Sequence, residues 1–240
     1  MTLDITIVAV DTFAHELVKL SIDRTLACLE PKKILTFSDR PIHNSATWIP
    51  IRPISRAEYN VFVTKTLWPF ITTDHVLIVQ YDGMAVNNAK WTDDYLNYDY
   101  IGAKWVDNVV GNGGFSLRSR RLYSQLQSTV IHVDTDIEAE DVLICRKYYN
   151  YLIDKGIKFA PYELADQFSH ENWPGFSDTF GFHGSFNVPY YLDDRETAEF
   201  IDLLPDYNSR TNLAMLDSLQ KLGKNDLIER YLRLQSTANK

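Results

Sequence analysis

Four apolar residues in succession, Val76-Leu77-Ile78-Val79, give way at once to the polar corner Gln80-Tyr81-Asp82-Gly83. An unbroken Val/Leu/Ile run closed by a turn predicts a central parallel strand buried on both faces. Asp4 to Val10 and Lys33 to Ser38 read as two further strands. Between them Ala14, Val18, Ile22, Leu26 and Leu29 recur at steps of three and four, which predicts an amphipathic helix with Asp11-Thr12 at its N-cap. Strand, helix and strand at this spacing make a βαβ unit, so the sheet starts parallel. Thr47 to Ile51 predicts a short third strand, and Ser55 to Trp68 has helical spacing through Tyr59, Phe62 and Leu67.

The later pattern is less regular. Val86 to Tyr100 is polar and aromatic and reads as a loop and short helix. The apolar face Val142, Cys145, Tyr149 and Leu152 predicts a helix approached by the acidic stretch Asp134 to Glu140, and Phe159 to Phe168 reads as a strand leading to Ser169-His170-Glu171. Beyond about Pro189 the chain turns to charged helix. Leu213, Leu216, Leu219 and Leu222 precede Gly223-Lys224-Asn225-Asp226, a C-cap and N-cap in succession, and Leu227, Ile228, Tyr231 and Leu232 follow. The fold class expected is α/β: a mostly parallel central sheet flanked by helices over residues 1–190, with a C-terminal helical hairpin in 191–240.

Composition narrows the function. With 240 residues and 45% hydrophobic content, the chain supports one well-packed domain and a small appendage. No apolar run approaches the length of a membrane span. Met1-Thr2-Leu3-Asp4 enters a strand without the basic start and cleavage site of a secretory signal, so the cytoplasm is the expected location, with Cys28 and Cys145 as buried thiols. The net charge is -8 and the densest basic cluster is Arg118-Ser119-Arg120-Arg121, which argues against nucleic acid as a partner. Aromatic residues make up 13% of the chain, enough to fill a core and still line a sugar-binding cleft.

Several polar positions could carry chemistry. Ligands of open α/β sheets collect at the carboxyl ends of the strands, where Asp82 could hold a metal or a charged ligand or simply close an Asx-turn. Asp11 and Asp39 lie on the same edge and are equally compatible with turns and caps. In Gly111-Asn112-Gly113-Gly114-Phe115-Ser116-Leu117-Arg118, three glycines within four residues allow close approach of a ligand or positive φ, and Ser116 is placed to cap a helix through Leu122 and Leu126. Glu140-Asp141 sits at a predicted helix start, where acids either complement the macrodipole or serve as a general base. Phe180-Gly181-Phe182-His183-Gly184 places a histidine between glycines, as a structural residue or a metal ligand.

Together, Gln80-Tyr81-Asp82-Gly83, the 111–118 loop, Glu140-Asp141-Val142 and Phe180-Gly181-Phe182-His183-Gly184 resemble a GT-A glycosyltransferase. More narrowly they resemble the bacterial glycosyltransferase-like family DUF5672, over about Ile5 to Pro189. The resemblance implies a GT-A, Rossmann-like sheet and a nucleotide-sugar donor, a UDP-sugar. It implies a divalent cation, Mn²⁺ or Mg²⁺, on Asp82 and His183, although Gln80 stands where the Asp-x-Asp motif has its first acid. It places the base of an inverting transfer at Asp141 beside Glu140, and donor contacts at Ala9, Asp11, Thr12, Asp39, Gln80, Tyr81, Asp82, Gly113 and Gly114. The implied acceptor is a carbohydrate or glycolipid in bacterial surface or other glycan synthesis, in the cytoplasm or at the inner face of the membrane, with the C-terminal helices open to self-association. Two rivals stand. A sugar nucleotidylyltransferase would want a glycine-rich basic loop after the first strand, where this chain has Val10-Asp11-Thr12-Phe13-Ala14. A non-catalytic carbohydrate- or nucleotide-sugar-binding protein gains weight from Gln80.

Overall fold

The computed structural model describes residues 2–133 and 139–238, so Asp134 to Glu138 of the acidic stretch lie outside the described residues. The chain begins with β1 (Leu3–Val10), α1 (His15–Cys28) and β2 (Pro31–Ser38), the βαβ unit that the apolar spacing predicts. β3 (Thr47–Pro50) follows. α2 (Arg56–Val61) opens with a capping box in which Ser55 Oγ accepts the Glu58 N–H and the Glu58 carboxylate accepts the Ser55 N–H. Such a cap contributes about 1 kcal/mol. The helix then widens to a π-turn over Phe62–Thr66 and delivers the chain to β4 (His75–Val79), whose five residues are all buried.

After the Gln80–Asp82 corner come β5 (Gly83–Ala85), two short 3₁₀ turns and β6 (Tyr100–Ile101). The glycine loop enters a strand, β7 (Phe115–Ser119), and not a helix; the next helix, α3 (Arg120–Leu126), is capped by Ser119 Oγ on the Leu122 N–H. Ser116 is therefore no cap: β4 pairs antiparallel with β7, and the Ser116 hydroxyl donates to the Gly113 carbonyl. α4 (Glu140–Val142), a π-turn over Leu143–Lys147 and α5 (Tyr149–Asp154) replace the single predicted helix. The extra residue in the π-turn rotates the buried face to Leu143, Ile144, Cys145 and Leu152, leaving Val142 half-buried and Tyr149 exposed. The strand expected over Phe159 to Phe168 is instead mostly α6 (Tyr162–Phe168), which buries Ala165 and Phe168 three residues apart. β8 (Ser169–His170) and β9 (Gly181–His183) follow, then α7 (Val188–Tyr191), α8 (Asp194–Asp202), α9 (Arg210–Lys221) and α10 (Asn225–Ala238).

The main sheet runs β3-β2-β1-β4-β7-β6, with β3, β2, β1 and β4 parallel and β7 reversed between β4 and β6. This is the mixed, mostly parallel α/β architecture that the sequence predicts. A small sheet, β5-β9-β8, sits at its end, with Gly83 paired to His183. Among the described residues, two apolar clusters hold the molecule together. One encloses the main sheet through Ile5, Ile7, Leu77 and Leu117; the other joins Leu17, Met84 and Phe182 to Phe200, Met215, Leu219 and Tyr231. The predicted C-terminal hairpin is present as α9 and α10, and it shares this second core with α1, β5 and β9. Cys145 is buried, but Cys28 is only half-buried; both are free thiols.

Candidate functional site

The turn after β4 brings two carboxylates to one imidazole. Because Gly83 pairs with His183, Asp82 lies beside the start of the His183-Gly184-Ser185 turn. The Gly184 N–H donates to the Asp82 carbonyl at 2.9 Å and the Ser185 N–H to Asp82 Oδ2 at 3.2 Å. His183 Nε2 stands 3.2 Å from Asp82 Oδ1, and Nδ1 stands 3.0 Å from Glu171 Oε1. Burial works against a charged ring, but Asp82 and then Glu171 outweigh it and hold the His183 pKa well above its ordinary value. Glu171 carries no signal in the sequence pattern; it reaches His183 because β8 and β9 are neighbours.

The glycine loop packs against this array. A Cβ on Gly114 would lie 2.0 Å from His183 Nε2, and one on Gly113 would lie 1.9 Å from Glu140 Oε1, so these glycines make room for the imidazole and the carboxylate. Positive φ in the loop falls to Asn112, at 54°. Its amide nitrogen is 3.1 Å from His183 Nδ1, while its buried Oδ1 has no partner. Turning that amide over would aim Oδ1 at the ring N–H, the better match when Nδ1 also faces Glu171.

The loop also fixes the two acids at α4. The Gly113 N–H donates to Asp141 Oδ2 at 2.9 Å, and the Val142 N–H to Oδ1 at 2.7 Å. Glu140 is committed elsewhere: its Oε1 receives Arg118 Nη2 at 2.7 Å, and the Arg118 side chain is 0% exposed. The same guanidinium donates to the Gly113 carbonyl and to Ser116 Oγ. Asp141 departs from the macrodipole expectation. Burial, then the Glu140 charge, pushes its pKa up to about 6 against the pull of its two backbone hydrogen bonds and of Arg118. The helical backbone runs on without a break from Glu140 through Lys147, so it is desolvation of the carboxyl that outweighs the favourable helix start.

The remaining predicted positions line the adjacent strand ends. Ala9 is buried in β1. Asp11 Oδ1 accepts the N–H groups of Phe13 and Ala14, closing a turn ahead of α1, and burial raises its pKa. Thr12 Oγ1 accepts the Ile54 N–H. Asp39 Oδ1 meets His15 Nε2 at 2.6 Å, which holds the carboxylate below its usual pKa. The Asp11 N–H bonds to the Phe37 carbonyl, so the ends of β1 and β2 are adjacent. The Tyr81 ring meets exposed Phe13 edge-on, which joins this region to the Asp82 turn. A groove of about 400 Å³ lined by Ile51, Ile54, Val61 and Phe62, where α2 passes into its π-turn, shares none of the Asp82–His183 residues.

Among the described residues no three His, Cys, Asp or Glu side chains converge on one point. The implied cation still has a fitting pair. Asp82 Oδ1 is buried and receives no well-directed hydrogen bond, His183 Nε2 included, so an oxygen and a ring nitrogen face each other as two ligands of a divalent ion would.

Residues 50–183, more than half of the chain, match the family model described as a protein of unknown function, DUF5672. The chain belongs to the DUF5672 family. Gln80, Asp82, Glu140, Asp141, Glu171 and His183 all lie within the match. No curated protein matches this DUF5672 chain. Among solved structures it is similar to the galactosyltransferase LgtC in complex with donor and acceptor sugar analogs, at 10% identity over 82% of this chain and 94% of that one, with a TM-score of 0.45. It is also similar to the bifunctional IspDF from Campylobacter jejuni, at 13% identity over 55% of this chain and 45% of that one, with a TM-score of 0.40. Both likenesses are remote, and the chain spans less than half of the second structure's length.

Proposed function

We propose that this DUF5672 protein is an inverting glycosyltransferase that moves a sugar from a nucleoside-diphosphate donor, a UDP-sugar, to a hydroxyl of a carbohydrate or glycolipid. The observation that carries the reading is the glycine loop itself. Its Gly113 N–H holds Asp141, whose pKa is about 6, while its Gly114 lies against His183 and Asp82. A base poised near neutral pH thus sits one residue along the loop from a site suited to a cation.

In this reading Asp82 and His183 hold Mn²⁺ or Mg²⁺, which when bound would neutralise the charge growing on the departing diphosphate. Asp141 takes the proton of the acceptor hydroxyl, the acceptor oxygen forms its bond to the sugar's anomeric carbon, and the bond from that carbon to the diphosphate breaks with its electron pair leaving on the phosphate oxygen. The two backbone donors on Asp141 keep its carboxylate fixed while it is waiting for the proton. Glu140 positions: Arg118 holds it, so Asp141 remains the carboxylate available for proton transfer. The ends of β1 and β2, with Asp11, Thr12 and Asp39, face the nucleoside.

A binding protein without turnover is the second reading, favoured by the neutral Gln80 at the motif's first position. Calorimetry with UDP, GDP and CDP in the presence of Mn²⁺, followed by donor turnover, separates the two. UDP binding with turnover supports the transferase; UDP binding without turnover of any nucleotide sugar supports the binding protein. Tighter binding of GDP or CDP refutes the uridine assignment.

A further inference from the structure

We infer that Gln80 is a third ligand of the cation site, its amide oxygen acting where the resembled motif carries an acid. The inference rests on reading Asp82 and His183 as that site. Gln80 Oε1 stands 3.2 Å from His183 Nε2, the same separation as Asp82 Oδ1. Two donors in neighbouring positions around a small divalent ion, each bonded at about 2.1 Å, stand about 3 Å apart. Both oxygens therefore flank the ring nitrogen at the spacing of co-ligands.

The amide's orientation is set from behind. Gln80 Nε2 donates to the Tyr59 hydroxyl at 2.7 Å, which leaves the oxygen as the end facing His183. The backbone is fixed as well. The Gln80 N–H donates to the Gly114 carbonyl at 2.9 Å, and the Gly83 N–H returns to the Gln80 carbonyl at 3.1 Å. That turn brings side chains 80 and 82 to the same imidazole. A neutral oxygen in place of a carboxylate removes one negative charge from the donor set, so this site binds its cation more weakly than a two-acid site of the same shape.

The test titrates the full-length protein with Mn²⁺ alone, without nucleotide, and reads bound metal by water-proton relaxation, with circular dichroism as the check on folding. Asp82→Asn serves as the reference for loss of the site. Gln80→Leu, which keeps the bulk and removes the oxygen, is expected to weaken Mn²⁺ binding more than about tenfold. Gln80→Glu, which keeps the shape and can accept from the Tyr59 hydroxyl where Gln80 donates to it, is expected to tighten it. Should Gln80→Leu bind Mn²⁺ like the wild type, or Gln80→Glu fail to tighten binding, Gln80 is not a ligand. A wild-type protein that binds no Mn²⁺ overturns the inference too. The transfer reading is tested apart from it, by donor turnover and product configuration.

Discussion

Asp141 Oδ2 accepts the backbone N–H of Gly113 at 2.9 Å, 28 residues away in the chain. This bond couples the glycine loop to the acid proposed as the base, so the two hold one geometry.

Asp141→Asn keeps the shape and removes the base. Turnover should fall by roughly two to four orders of magnitude with donor affinity little changed. In the wild type the reactive form is the anion, so the rate should rise with pH through about 6 and level off above it. The stability change has the opposite sign. A carboxyl with its pKa raised on folding favours the folded state more at low pH, and the ionised group opposes folding above about 6. Asn also turns an amide N–H₂ toward one of the two backbone donors, so the readout is the pH dependence. The melting temperature of the variant should vary less than that of the wild type between the ordinary carboxylate range and about 6, and an equally steep dependence would count against the raised carboxyl pKa.

Glu140→Ala should behave quite differently. It strands the Arg118 guanidinium, which is 0% exposed, without its counter-charge. Removing one partner of a buried pair costs about 3–5 kcal/mol, so chemical denaturation should show a large loss, with Glu140→Gln losing less. A Glu140→Ala protein of wild-type stability would show that the pair does not hold the loop.

Gly114→Ala inserts a methyl group 2.0 Å from His183 Nε2. Relief requires the ring or the loop to shift, which disturbs the Asp82–His183 contact at a cost of about 1–3 kcal/mol in stability. Mn²⁺ binding should be lost or strongly weakened by the same titration, and retention at wild-type affinity would mean the ring is not the ligand.

Deletion from Arg210 onward removes α9 and α10, whose Met215, Leu219 and Tyr231 are fully buried against the core shared with Met84 and Phe182. Uncovering that core should cost on the order of 5 kcal/mol. Thermal unfolding and light scattering should report a large drop in melting temperature or association of the truncated protein. A truncated protein with wild-type stability and mass would show that the hairpin is an independent appendage.

The elements readable from sequence are those whose apolar pattern is local. β1, α1, β2 and β4 follow from unbroken or regularly spaced apolar residues, and the C-terminal hairpin from its paired caps. β7 escapes such reading because Ser116 and Arg118 interrupt its apolar run, and both are buried only because partners elsewhere, Gly113 and Glu140, satisfy them. The π-turn at Leu143–Lys147 shifts the helical face by one residue, which no periodicity announces. The site divides the same way. Asp82 and His183, both singled out by the family resemblance, meet through the strand pairing of Gly83 with His183. Glu171, Asn112 and Tyr59 reach the site through tertiary contacts alone.

Proton NMR of a UDP-sugar incubated with the protein and Mn²⁺ tests the central claim most directly, since it follows both loss of the donor's anomeric signal and the configuration of the first-formed product. The account predicts consumption of at least one UDP-sugar by the wild type, a product of inverted configuration, and near-complete loss of the reaction in Asp141→Asn. No consumption of any nucleotide sugar, or a product of retained configuration, would contradict it.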